Sequence, residues 1–102
     1  MNRYILIDNH SGNIWGDVFA TSPTDAAEKV DREAGLPPSE RKYFEHGPRN
    51  ASGASSPGYF VYAAPDDFPA INDGQDQTLI NLVRVLPLVA CVEYRDAESD
   101  SE

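Results

Sequence analysis

The apolar positions of this chain fall into short stretches separated by clusters of Gly, Pro, Asn, Asp and Ser. Tyr4-Ile5-Leu6-Ile7 is too short for a helix and rich in β-formers, which predicts a buried strand. Asp8 to Asn13 is dense in turn residues, and Gly12 allows a positive φ. Ile14 to Ala20 reads as a second strand, with Ile14, Gly16, Val18 and Ala20 on one face and Trp15, Asp17 and Phe19 on the other. The two strands most simply form an antiparallel hairpin. Ser22-Pro23-Thr24-Asp25 is a helix start: Ser22 caps, Pro23 suits the first turn and Asp25 can reach back. That helix is expected to run to about Ala34, stop at Gly35 and bury Ala26, Ala27, Val30 and Ala34.

Ser39 to His46 has no clear period and is read as a short helical turn carrying Tyr43 and Phe44 into the core. Gly47 to Gly58 has the composition of a flexible loop. Tyr59 to Ala63 predicts a third strand, and Pro65 to Asp76 a second long loop rich in acids and prolines. Asp76 is placed to cap a second helix in which Leu79, Leu82, Val83 and Leu86 follow helical spacing, up to Pro87. Leu88 to Tyr94, nearly all apolar, predicts a covered fourth strand. The expected fold is α+β, in the order ββαβαβ. An antiparallel or mixed four-stranded sheet carries two helices on one face. Residues 1–95 form the single domain, and 96–102 an acidic, disordered tail.

Charge sharpens the picture. The chain has 102 residues and a net charge of −9. From Asp66 onward it holds nine carboxylates against only Arg84 and Arg95, so seven of the nine net charges belong to this part. A pI near 4.4 argues against direct binding to nucleic acid or to anionic lipid. A one-sided acidic field attracts basic patches on other proteins. No apolar run reaches the ~18 residues of a membrane span, no leader pattern precedes the first strand, and Cys91 has no disulfide partner within the chain. A cytoplasmic location, in a host cell if the protein is phage-encoded, is the expectation.

The partner-binding candidates are Asp66, Asp67, Asp73 and Asp76 in the loop, then Asp96 and Glu98 in the tail. In an extended tail, Asp96, Glu98, Asp100 and Glu102 fall on one side about 6.8 Å apart. This is a sparser row than the phosphates of a DNA strand, at ~3.4 Å. Trp15 beside Asp17 is a candidate apolar anchor, since aromatics supply much of the desolvated energy of an interface.

Other chemistry is weaker. Asp66, Asp67, Asn72, Asp73 and Asp76 lack the ligand order of a calcium loop, so no metal site is expected. Cys91 with His10 or His46 and an orienting Asp8 or Asp17 is arithmetically a nucleophile set. Cys91, however, lies in an apolar strand, where a thiol is usually inert. No phosphate-binding glycine loop is present. No enzymatic activity and no cofactor are expected.

The opening Met1-Asn2-Arg3-Tyr4-Ile5-Leu6-Ile7-Asp8, the turn, the second strand and the alanine-containing helix resemble the start of some phage-encoded anti-CRISPR proteins. The size, acidity and lack of a catalytic motif resemble that class as well. Several of its members block the nucleic-acid-binding surface of a CRISPR effector complex. The resemblance implies a non-enzymatic inhibitor that occupies the basic surface of a nucleic-acid-handling protein or nucleoprotein complex. The alternative is a small accessory domain that self-associates through its sheet, as a homodimer, with no inhibitory role.

Overall fold

The computed structural model describes residues 1–47 and 57–96. Most of the loop between Gly47 and Gly58, and the tail beyond Asp96 with Glu98 in it, lie outside the described residues. One antiparallel sheet holds β1 (Asn2–Asp8), β2 (Ile14–Ala20), β3 (Arg41–His46), β4 (Gly58–Ala64) and β5 (Leu88–Asp96), in the order β2-β1-β4-β5-β3. Helices α1 (Pro23–Glu33) and α2 (Gln77–Arg84) complete a small α+β domain. Neither is long and apolar enough to cross a membrane.

The sheet has five strands where four were expected. Only Pro38–Glu40 forms a helical turn, of 3-10 type, and the rest of the Ser39–His46 segment is β3. Among the described residues β3 sits at the sheet edge and pairs antiparallel with β5 alone. Tyr43 packs against the core from this strand, while Phe44, on the other face, is left exposed. The element order is therefore ββαββαβ.

The helices lie on opposite faces of the sheet, not on one. Tyr4 and Leu6 of β1 pack with Ala26, Ala27 and Val30 of α1, whereas Ile5 and Ile7 pack with Ile80 and Val83 of α2. β1 is an inner strand covered on both sides, and its unbroken apolar run follows from that position.

α1 starts and stops on the expected signals. Ser22 Oγ accepts from Asp25 N at 3.0 Å, and Asp25 reaches one residue further back than a capping box, to Thr21 N. At the other end Leu36 N donates to Asp31 O and Gly35 N to Arg32 O, with Gly35 at φ +85°. This double bond pattern closes the helix through a left-handed glycine. Ala34 is exposed, and the buried face of α1 holds Asp31 in its place. In α2, Asp76 caps Thr78 N and Leu79 N. Ile80 and Val83 face the sheet, so Leu82, two residues from Ile80, turns outward and is 41% exposed.

A β-bulge reorganises β2. Ile7 pairs with Ile14 and Leu6 with Gly16, which leaves Trp15 as the extra residue. Ile14 consequently packs on the α2 side, while Val18 and Ala20 pack on the α1 side. Trp15 turns toward α1, so it does not share a face with Asp17 and Phe19 as simple alternation predicts.

Candidate partner-binding surface

The acidic loop after β4 is held by a buried arginine. Arg3, on the α2 face of β1, is only 7% exposed. Its Nε and Nη2 donate to the two carboxylate oxygens of Asp17 at 2.9 and 2.6 Å, a bidentate pair between adjacent strands. Nη1 donates to Phe68 O at 2.6 Å and, at longer range, to Pro65 O and Asp66 O. Nη2 also reaches Pro69 O. The guanidinium lies 5.7 Å from the Phe68 ring centroid. The hydrogen bond that Arg3 donates to Asp17 raises the Arg3 pKa further, and the charges of Asp66 and Asp67 act in the same direction. A buried guanidinium needs its donors satisfied, and here four loop carbonyls do so. The loop backbone is thereby fixed while Asp66 and Asp67 stay exposed.

The far end of the loop is fixed against β2. Ile14 N donates to Gly74 O at 2.8 Å, and a Cβ on Gly74 would come within 2.2 Å of Ile14 O. Only glycine allows this approach. Asp73 accepts from Gln75 N, and Asp76 is the α2 cap. These two acids therefore shape the backbone, whereas Asp66 and Asp67 have no such local role in the described residues. Asp17 belongs to the Arg3 pair. Asp96 ends β5 opposite Arg41 in register, and Glu98 lies beyond the described residues.

Trp15 is 42% exposed but anchored from within. Its Nε1 donates to Asp31 Oδ1 at 3.3 Å, and its ring stacks on Tyr59 with centroids 6.2 Å apart. Asp31 is fully buried. Oδ1 also accepts from the Tyr59 hydroxyl, and Oδ2 accepts from Tyr43 at 2.6 Å and Arg41 at 3.0 Å. Two donors on each oxygen use the whole acceptor capacity of the carboxylate. Arg41 stacks over Tyr94 at 4.1 Å, which closes the cluster. Burial, and then the hydrogen bond to Asp31, push the Tyr59 and Tyr43 hydroxyls well above the usual phenol range. Both phenols therefore stay protonated donors, and the arrangement joins α1 to β2, β3 and β4 rather than poising a reactive group. This cluster was not foreseen, although one signal was present: Asp31 falls four residues after Ala27, in phase with the buried stripe.

His46 is the cross-strand partner of Cys91, and its Nε2 lies 3.1 Å from Glu93 Oε1. Cys91 is fully buried, and burial followed by the Glu93 charge raises its thiol pKa, away from the thiolate a nucleophile needs. His10 is exposed on the β1–β2 turn, remote from Cys91 in the sheet order. Among the described residues no three acidic, histidine or cysteine side chains are grouped to hold a metal ion. Comparison with protein-family models, with curated proteins and with solved structures finds no match to this chain, which leaves its own residues to carry the functional reading.

Proposed function

We propose that the protein is a non-enzymatic, acidic binding module that docks on the basic surface of a nucleic-acid-handling protein or nucleoprotein complex and inhibits it by occupying that surface. A CRISPR effector complex is the partner to which the N-terminal resemblance points. The observation that carries the reading is the anchoring of the acidic loop. Arg3 holds the backbone of residues 65–69 through four carbonyls, so Asp66 and Asp67 project from a fixed platform. Charges on a fixed backbone lose little entropy on docking, unlike charges on a loop that must first be ordered. The test is capture of partners from host lysate at low and high salt, with the wild type and with Asp66→Asn/Asp67→Asn. A basic partner retained at low salt, released at high salt and weakened by the substitutions supports the reading. Recovery of the homodimer alone would replace it with self-association.

A further inference from the structure

The outer edge of β2 is closed at both ends and open in the middle. Among the described residues β2 is an edge strand, paired only with β1. At its start Ile14 N is taken by Gly74 O, and near its end Phe19 O accepts from Lys29 Nζ at 2.9 Å. Both bonds point away from β1, which fixes the phase of the edge. In an antiparallel ladder the N–H and C=O of one residue face the same side, and every second residue repeats it. Asp17, two residues before Phe19, therefore also turns its N–H and C=O outward. Among the described residues, no hydrogen bond reaches Asp17 N–H, Asp17 C=O or Phe19 N–H from outside the sheet.

Recesses flank this open stretch on both sides of the sheet. One, of about 360 Å³, lies between β2 and Ile71, Asn72 and Gly74. The other, of about 240 Å³, lies between β2 and Val30, Glu33 and Ala34 of the α1 end. Trp15, Gly16 and Asp17 line both. An added strand sends successive side chains to opposite faces, so a strand laid along this edge would place alternate side chains in the two recesses.

We infer that the Asp17–Phe19 edge of β2 is a slot for a short extended segment of the partner, paired by its backbone and carrying lysine or arginine at alternate positions. The inference rests on the reading of the protein as a binder of a basic partner. The slot has an apolar floor in Trp15, Ile71 and Ala34, and Glu33 lines the recess on the α1 side. A basic side chain suits both parts, its aliphatic stem on the apolar surface and its charged head at the acid. A second copy of this chain, itself at −9, would bring like charge to the same slot.

The probe is a capped peptide of alternating valine and lysine, titrated into the full chain and followed by NMR amide shifts and hydrogen exchange. The control replaces lysine with glutamate. The expected result is slowed exchange at the Asp17 and Phe19 amides, with little change at the already bonded Ile14 amide. Binding should be about tenfold weaker for the glutamate peptide. It should also weaken roughly threefold for Glu33→Lys, whose exposed site leaves the fold intact. Three outcomes would overturn the slot. If the peptide shifts only Asp66 and Asp67, the slot fails while the acidic-platform reading stands. If it binds nowhere, the slot fails and the lysate capture decides the platform reading separately. If the Asp17 and Phe19 amides are protected in a concentration-dependent way without peptide, the occupant is a second copy.

Discussion

Asp31 is the side chain on which most of the α1 face converges, and its removal should be felt throughout. Asp31→Ala leaves Arg41 and two phenols without their shared acceptor, so unfolding free energy should fall by about 3–5 kcal/mol in denaturant titration. The tyrosines offer a second check. Tyr43, Tyr59, Tyr62 and Tyr94 all have pKa values raised first by burial. In the unfolded chain each phenol ionises near pH ~10. Below that pH both states hold the proton and the stabilisation is complete. Above it the unfolded state loses protons that the native state keeps, so stability declines as pH rises toward the native values. Phenolate absorbance should accordingly lag during alkaline titration and appear together with the loss of folded signal. Parallel development of phenolate in a still folded protein would contradict this. The sequence carries the position of Asp31 in the helical phase but not its partners, because Trp15, Arg41, Tyr43 and Tyr59 meet it only after three strands have assembled.

At the scale of elements, the closest fit is that of β2 against α1. A Cβ on Gly16 would fall within 2.6 Å of both methyl carbons of Val30. Gly16→Ala should therefore cost about 1–3 kcal/mol by overpacking. Combining it with Val30→Ala should cost less than the two single changes added together, because one relieves the crowding caused by the other. Arg3→Ala should lower stability by about 3 kcal/mol and accelerate amide exchange across residues 65–69, since it frees those carbonyls and leaves Asp17 unpaired. Helix ends, the β1–β2 hairpin and the inner strands were legible because their signals are local: Ser22, Gly35 and Asp76 act within one turn. β3 was not, because Arg41, Tyr43 and Glu45 alternate with Lys42, Phe44 and His46 and place an aromatic residue on each face. No apolar phase of period two emerges from such a pattern. The sidedness of the helices was encoded in β1, whose run from Tyr4 to Ile7 has apolar residues for two faces. The bulge at Trp15 was hidden by an apparently regular alternation, and it decided which face the tryptophan serves. The platform was half visible, since the loop acids stand in the sequence while their anchor, Arg3, lies in a distant strand.

For the molecule as a whole, the charge asymmetry should act on encounter more than on the bound complex. Asp66→Asn/Asp67→Asn should slow association with a basic partner roughly threefold at low ionic strength and flatten its dependence on salt, with a smaller change in dissociation. The advantage of the wild type should shrink as the screening length approaches ~8 Å at physiological salt. Stopped-flow association across a salt series measures this. Identical slopes for both proteins would confine the acids to a solubilising role. The double variant should keep the wild-type melting temperature, because among the described residues the Asp66 and Asp67 side chains accept no hydrogen bonds of the kind made by Asp73 and Asp76.

The placement of β3 has a consequence for how the chain reaches this state. β3 follows α1 in the chain, yet among the described residues its sole neighbour in the sheet is β5, reached only after β4, the acidic loop and α2. Closing that gap requires the intervening chain to be ordered or its loop entropy to be overcome. The β1–β2 hairpin needs only a short turn. Folding should therefore proceed from the hairpin outward, with β3 the last strand to dock. Arg41 and Tyr43 arrive with it, so Asp31 acquires its full set of donors only at the final step.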